Sequence, residues 1–256
     1  MPYIERGSTQ LYYEIHGSGP PVVMLHGVGG NHASWFYQIA AWRNQFQMVL
    51  VDARGFGNSS DPERLGRSAF TEDLVALLDD LDLDTVSLIG QSMGGGTAID
   101  FACQFPNRVS SLVIADSLVG LELPRRLADQ MQIVQQRTSG LDQLGRVLGR
   151  SFIVRESAMA TLYLQIAGFN QYTVKTLVGE QKTHTPEELA RSDVRIAFLV
   201  GEEDVLFPPE IVSEVVAMVP GATFYRLPAT GHSAYFEAPD AFNSTIGNWL
   251  QEAQET

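Results

Sequence analysis

The architecture of the chain can be inferred from one segment, Val86-Ser87-Leu88-Ile89-Gly90-Gln91-Ser92-Met93-Gly94. Residues 86–89 are mostly apolar, as in a buried strand, and a helix-like segment from Gly95 to Phe105 follows the pentapeptide Gly-x-Ser-x-Gly. The glycines two positions before and after Ser92 remove Cβ clashes, so the chain can turn sharply from strand to helix. The pattern therefore predicts that Ser92 is raised above one end of a sheet, where a substrate can reach it.

Short apolar runs and helical patterns alternate along the chain on both sides of this segment. Residues 3–6 and 10–16 alternate in polarity around Gly7-Ser8, which indicates an antiparallel hairpin. The other predicted strands are 22–25, 48–51, 112–115, 196–200 and 223–227, and the predicted helices are 33–43, 71–83, 209–218 and 241–250. Thr71 is well placed to cap its helix. This alternation predicts an α/β fold with a mostly parallel central sheet flanked by helices.

The interval between residues 117 and 189 breaks the alternation. It contains several helical patterns and no apolar strand run. The apolar faces of such helices must be buried against the sheet or against one another, so we predict a helical cap insertion over one edge of the sheet. The predicted domain organisation is an α/β core of residues 1–116 and 190–256 with a helical cap of residues 117–189.

Composition limits the possible partners. Of the 256 residues, 45% are hydrophobic and 18% are charged, as in one compact domain. The formal charge of −13 argues against nucleic acid and anionic membranes, which require clustered Lys and Arg. The first six residues lack a signal-peptide pattern, and no apolar run approaches the roughly 20 residues of a membrane span. The single cysteine cannot form an internal disulfide. A soluble cytoplasmic protein with a small-molecule substrate is expected, and no pattern specifies its oligomeric state.

A serine hydroxyl attacks a carbonyl only when a nearby base takes its proton. His232 is the predicted base, because Thr230-Gly231-His232-Ser233 follows a predicted strand and places this imidazole beyond the strand's carboxyl end. Structural positions are assigned to His16, His26 and His184. For His32 we expect a position in a loop or in a pocket.

The acid that orients the histidine is predicted in the same way. Asp204 ends the segment Gly201-Glu202-Glu203-Asp204, which directly follows a predicted strand. Its carboxylate would fix the tautomer of His232 and stabilise the imidazolium that forms on attack. Asp116, directly after another predicted strand, is the competing candidate. Asp204 is preferred because it follows the usual chain order of Ser, Asp and His.

Negative charge on the attacked carbonyl oxygen requires hydrogen-bond donors that already point at it. The backbone N–H of Met93, the residue after Ser92, is one predicted donor. The second is the N–H of Val28, in the loop His26-Gly27-Val28-Gly29-Gly30, where glycines let the backbone approach a ligand closely. Val28 and Met93 are thus the predicted oxyanion hole.

Over nearly its whole length the chain resembles the α/β-hydrolase superfamily, and most of all small bacterial esterases, enol-lactonases and carbon–carbon bond hydrolases. The matching segments, in the family's order, are 26–27 followed by Trp35, 52–59, 90–94, 201–204 and 231–232. The resemblance implies a Ser, Asp and His triad without a cofactor, Val28 as the first oxyanion donor, and a mainly structural role for Asp52 and Arg54. The sequence departs from the family pattern at Gln91, where many members have histidine.

A serine hydrolase that cleaves a small ester or lactone is therefore the expected function, with two alternatives. A carbon–carbon bond hydrolase acting on a ring-cleavage product would need cap groups such as Arg125 and Arg126 to hold a carboxylate. A ligand receptor with this fold would recognise its ligand with little turnover. Dinucleotide binding is not expected, because the segment 55–60 lacks the third glycine of the dinucleotide motif. Cys103 is expected to be an inert buried thiol and not a nucleophile. No spacing of His, Cys and carboxylates suggests a metal site.

Overall fold

The computed structural model describes residues 2–252. Within them one sheet of eight strands is formed by β1 (Tyr3–Arg6), β2 (Thr9–His16), β3 (Pro21–Leu25), β4 (Gln47–Val51), β5 (Val86–Gln91), β6 (Val109–Ala115), β7 (Arg195–Gly201) and β8 (Thr223–Leu227). The strand order is β1-β2-β4-β3-β5-β6-β7-β8. Strand β2 is antiparallel to β1 and β4, and the other neighbouring pairs are parallel. The predicted α/β fold with a mostly parallel sheet is confirmed.

Helices lie between most of these strands. In residues 2–252 the α-helices are α1 (Phe36–Trp42), α2 (Phe70–Asp80), α3 (Met93–Gln104), α4 (Arg125–Thr138), α5 (Gln143–Val147), α6 (Arg150–Arg155), α7 (Ser157–Ala167), α8 (Pro186–Arg191), α9 (Pro209–Val216), α10 (Ala234–Glu237) and α11 (Pro239–Glu252). No helix in this part of the chain has the length and apolar character that crossing a bilayer would require.

The parallel strands β3 to β7 are largely buried on both faces, which explains why they appear in the sequence as apolar runs, whereas the edge strand β8 is half-buried. In β3, Val23 packs into one core cluster with side chains of α2, α3 and α9, whereas Met24 packs into a second cluster with side chains of α1 and α11. Successive residues of a strand point to opposite faces, so each run contributes to both cores. The sheet is therefore enclosed between two helical layers, and its strand ends are the places left for a site.

Between β6 and β7 the chain forms the helical insertion, α4–α8. Its apolar residues join the two main clusters: Leu127 packs into the first, and Phe152 and Tyr163 pack into the second. The insertion is thus fastened to the sheet layers through buried apolar contacts. Helix α8 ends at Arg191, so it crosses residue 189, the predicted boundary of the cap.

Two local predictions are corrected by the structure. The helix predicted over 33–43 is divided into a 3-10 turn, His32–Trp35, and α1. The prediction that Thr71 caps α2 is wrong, because the helix begins one residue earlier, at Phe70, and continues directly from a 3-10 turn. The Thr71 hydroxyl instead donates to Asp100 Oδ2 at 2.6 Å and links two helices.

Candidate active site

The turn between β5 and α3 holds Ser92 in a strained backbone conformation, with φ +50° and ψ −114°. A positive φ is unfavourable for a residue with a Cβ, so the surrounding packing must stabilise the turn. A Cβ at Gly94 would lie 2.1 Å from the Leu25 carbonyl oxygen, and a Cβ at Gly90 would lie 2.5 Å from the Gly94 carbonyl oxygen. Both positions need glycine because backbone atoms occupy the space that a side chain would fill.

The side chains of Ser92, Asp204 and His232 lie together at the carboxyl ends of three strands. His232 Nε2 is 2.8 Å from Ser92 Oγ, and His232 Nδ1 is 3.0 Å from Asp204 Oδ2. A hydrogen on Nδ1 can donate to the carboxylate, which leaves the lone pair of Nε2 to accept the serine hydroxyl. His232 is 4% exposed and Asp204 is 3% exposed, so solvent screens their interaction little.

The second oxygen of Asp204 fixes the orientation of this carboxylate. Asp204 Oδ1 accepts the N–H of Leu206 at 2.8 Å and the N–H of Phe207 at 3.1 Å. The Phe207 ring lies against the His232 imidazole, with 5.6 Å between ring centroids. The Asp204 carboxylate and the His232 imidazole are therefore both contacted by the short loop after β7.

Asp116, the competing candidate for the acid, occupies a different position. It is fully buried, its Oδ1 accepts the N–H of Gly201 at 2.9 Å, and its Oδ2 accepts the N–H of Ala234 at 3.0 Å. Burial raises the pKa of the Asp116 carboxyl well above its usual value, and the charge of Asp204 raises it further. Asp116 thus connects the last residue of β7 to the first residue of α10, whereas Asp204 contacts the imidazole.

The loop that carries His232 is held by two side chains that the sequence did not single out for this purpose. Gln91 Nε2 donates to the His232 carbonyl at 2.7 Å. The carboxylate of Glu237 accepts the N–H groups on either side of the histidine, from Gly231 at 2.9 Å and from Ser233 at 3.1 Å. The backbone on both sides of the imidazole is therefore fixed.

Glu237 also binds the helical insertion, because its Oε2 accepts the N–H of Gly149 at 2.8 Å. Burial raises the pKa of Glu237 to about 7, although its three hydrogen bonds from backbone N–H groups act to lower the pKa. The signal available in the sequence was a glutamate directly after the apolar run Ala234-Tyr235-Phe236, since a charged residue inside a buried segment needs partners.

The loop that carries Val28 lies beside Ser92, since a Cβ on Gly27 would be 2.9 Å from Ser92 Cβ. The Gly27 carbonyl accepts His26 Nδ1–H at 2.8 Å and the N–H of Gly30 at 2.9 Å. The peptide bond is planar and trans, so a fixed Gly27 carbonyl makes the Val28 N–H point in the opposite direction. The backbone donor predicted at Val28 is therefore held in a defined orientation.

His26 supports this loop as a neutral ring. Its Nε2 accepts the N–H of Ala53 at 3.1 Å, which leaves the ring hydrogen on Nδ1. Burial lowers the pKa of His26, in keeping with an uncharged imidazole. The structural position predicted for this histidine agrees with these contacts.

Met93, the other residue of the predicted oxyanion hole, is the first residue of α3, where the backbone N–H groups have no partner within the helix. Its side chain packs with Phe56, Phe70 and Tyr172 in a small apolar cluster, and Val28 packs against the same cluster. The side chains of the two candidate donor residues thus pack into one buried apolar cluster.

The remaining polar candidates serve other contacts. His32 Nδ1 is 2.8 Å from Asp52 Oδ2. Burial by itself would lower the pKa of His32, but the hydrogen bond to Asp52 and the negative charge of Asp52 outweigh it, so the pKa is raised. Arg54 makes two hydrogen bonds of 2.6 Å to Asp73. Cys103 is half-buried and not fully buried as predicted, and its partial burial raises the pKa of the thiol to about 12, so the thiol stays protonated at neutral pH. Within residues 2–252 no group of three or more His, Cys, Asp or Glu side chains is arranged to hold a metal ion.

A family model described as alpha/beta hydrolase fold matches residues 20–239 of this chain. The match includes the strands and loops that carry Ser92, Asp204 and His232. The protein belongs to the alpha/beta hydrolase fold family, and the resemblance noted in its sequence is confirmed.

Individual relatives have the same fold. An esterase from Thermogutta terrifontis is similar with a TM-score of 0.82 and 24% identity, covering 96% of this chain and 94% of the esterase. The enol-lactonase from Burkholderia xenovorans LB400 is similar with a TM-score of 0.77 and 23% identity, covering 98% of this chain and 100% of the lactonase. A protein of Azorhizobium caulinodans named "Putative carbamate hydrolase RutD" is 26% identical over 100% of both sequences. At these identities the structural likeness establishes the fold and leaves the substrate to be inferred from the site.

Proposed function

We propose that this protein is a serine hydrolase that cleaves a small carboxylic ester or lactone through an acyl-enzyme intermediate. One observation carries the proposal: the His232 imidazole lies between Ser92 Oγ, at 2.8 Å, and Asp204 Oδ2, at 3.0 Å. This is the geometry that a serine nucleophile, its base and the orienting acid require.

In the first half of the reaction, Ser92 Oγ forms a bond to the carbonyl carbon while its proton passes to His232 Nε2. The tetrahedral intermediate then expels the alcohol oxygen, which takes that proton from the imidazolium. The Asp204 carboxylate stabilises the imidazolium through the hydrogen bond to Nδ1. In the second half, water loses a proton to His232 and attacks the acyl carbon, and the acid leaves as Ser92 recovers its hydrogen.

The negative charge on the carbonyl oxygen is assigned to the backbone N–H groups of Val28 and Met93. Both belong to elements whose orientation is fixed before substrate binds: the Gly27–Gly30 turn and the first turn of α3. Donors that need no reorganisation stabilise a developing charge most effectively. We further assign residues 117–189 as a cap over the core, and no cofactor takes part in these steps.

The carbon–carbon bond hydrolase alternative would call for a cationic group of the cap to hold a carboxylate, and Arg125 and Arg126 were the candidates. Both are exposed, and Arg126 is paired with Glu214 of α9 at the surface. These contacts favour ester or lactone cleavage over the alternative.

The proposal is tested with p-nitrophenyl esters of graded chain length and with lactones. Ser92→Ala should abolish turnover while retaining the melting temperature of the wild type within a few degrees. Ser244→Ala, which changes an exposed serine of α11, is the matched control and should retain full activity. Mass spectrometry after treatment with an organophosphonate should place one adduct on Ser92.

Two results would contradict the proposal. An adduct on another residue would remove Ser92 as the nucleophile. A single turnover followed by arrest, on every ester and lactone tried, would indicate a ligand receptor instead of a hydrolase.

A further inference from the structure

Asn170 links the helical insertion to the loop that carries Val28. Its Nδ2 donates to the Gly30 carbonyl at 3.0 Å and to the Val28 carbonyl at 3.3 Å. Its Oδ1 accepts the N–H of Gly57 at 3.0 Å and Nδ2–H of Asn31 at 3.2 Å. A backbone N–H can only donate and a carbonyl can only accept, so these partners define which end of the amide is oxygen.

These contacts complete the fixation of Val28. The peptide plane before Val28 is held within the loop, where the Gly27 carbonyl accepts two hydrogen bonds. The peptide plane after Val28 includes the Val28 carbonyl, which Asn170 binds from the insertion. The Val28 N–H lies in the first of these planes, and holding the second plane as well prevents the first from turning about the bonds of the Val28 Cα.

The Gly27–Gly30 turn packs closely against its neighbours, and the helical insertion is one of them. Three of its four residues are glycines: a Cβ on Gly29 would lie 2.5 Å from the Tyr163 hydroxyl of the insertion, and one on Gly30 would lie 2.8 Å from Ser34 Oγ. Glycines allow this close approach but leave the backbone free to adopt other conformations. A side chain that binds two of the turn's carbonyls removes that freedom.

We propose that Asn170 is a positioning residue of the oxyanion hole, which holds the Val28 N–H toward the carbonyl oxygen that becomes negative during attack by Ser92. The inference rests on the proposed serine hydrolase function and adds a residue of the helical insertion to its machinery. Asn170 acts through the loop, and its contribution is to the transition state more than to binding of the ground-state ester.

The decisive variant is Asn170→Asp, which retains the shape of the side chain. A carboxylate cannot donate, so it would repel the Val28 and Gly30 carbonyls that the amide now binds. Asn107→Asp is the matched control, because it makes the same change on an exposed turn before β6, at the opposite end of the sheet. We expect kcat of Asn170→Asp to fall about 10²-fold, the loss typical of one oxyanion donor, with KM changed by less than about threefold.

Two further measurements separate positioning from general stability. Asn170→Ala removes the amide without adding charge and should lower kcat about tenfold. For every variant, kcat is calculated from the concentration of active sites, which is measured by titration with the phosphonate. Hydrogen–deuterium exchange of residues 27–30 should be faster in both variants than in the wild type and Asn107→Asp. This exchange measurement does not depend on turnover.

The possible failures are distinguishable. If both Asn170 variants keep the wild-type kcat, or lose activity only through KM, the positioning role of Asn170 is wrong while the hydrolase function stands. If the wild type neither turns over esters nor reacts at Ser92, the proposed function is wrong and the oxyanion role of the loop is overturned with it.

Discussion

Replacing Glu237 with glutamine is expected to change how the stability of the protein depends on pH. The carboxylate is buried and accepts the N–H groups of Gly149, Gly231 and Ser233. Burial raises the pKa of Glu237 from 4.5 to about 7, and the charge of Asp204 contributes to the rise. The folded protein therefore keeps a proton on this group over a pH range in which the unfolded chain has lost it.

The size of the effect follows from this difference. When the folded state binds more protons than the unfolded state, the free energy of unfolding falls as the pH rises. The stabilisation is fully present below the unfolded pKa of 4.5 and is lost as the pH rises through about 7. At about 1.4 kcal/mol per pKa unit, the change amounts to about 3 kcal/mol. Glutamine does not titrate, so the wild type should lose about 3 kcal/mol relative to Glu237→Gln over this range.

Urea unfolding of both proteins at about pH 4.5 and about pH 8, extrapolated linearly to water, measures this relative change. Groups that titrate in both proteins and lie far from Glu237 cancel in the comparison to first order. Glu122→Gln, at an exposed position, is the control and should show no relative change. A relative change below about 1 kcal/mol, or one of opposite sign, would mean that the three N–H groups outweigh burial and keep Glu237 ionised.

Two other predictions concern groups near the candidate site. Asp204→Asn should lower kcat by about 10⁴-fold, because the imidazole loses its orienting carboxylate, whereas Asp116→Asn should chiefly lower the melting temperature. Steady-state kinetics and thermal unfolding of both variants check this. The reverse pattern would assign the role of the acid to Asp116. Cys103, a half-buried thiol whose pKa is raised to about 12, should react with iodoacetamide at neutral pH much more slowly in the native protein than after urea unfolds it, as followed by mass spectrometry. Equal rates in the native and unfolded protein would contradict the raised pKa.

The parts of the fold that follow from local patterns were predictable from the sequence. Strand β8 has the predicted limits, Thr223–Leu227, and the predicted turn at Ser92 joins β5 to α3. Apolar runs and glycine spacing are local properties, and parallel strands place their carboxyl ends at one edge. The meeting of Ser92, Asp204 and His232 could therefore be expected, although they are far apart in the chain.

The supporting contacts could not be predicted in this way. Asn170 is 113 residues from Gly57 and 140 residues from Gly30, and an asparagine after a helix carries no local sign of such partners. Thr71 shows the opposite failure: its position suggested a helix cap, but the hydroxyl found Asp100 on a neighbouring helix. Pairings of this kind depend on tertiary packing, which overrides local preference.

The helical insertion is connected to the loop of Val28 and to the loop of His232. These connections restrict how a substrate can enter. Asn170 binds the loop of Val28, Gly149 binds the carboxylate of Glu237, and Tyr163 Oη accepts a hydrogen bond from Ser233 Oγ at 3.3 Å beside His232. Lifting the insertion as one rigid body would break these bonds together, at about 1 kcal/mol for each neutral bond and more for a bond to a carboxylate. The loops of Val28 and His232 would then lose these supports at the moment when substrate binds. Movement that admits substrate and leaves the site assembled must therefore be confined to segments of the insertion other than these three contacts.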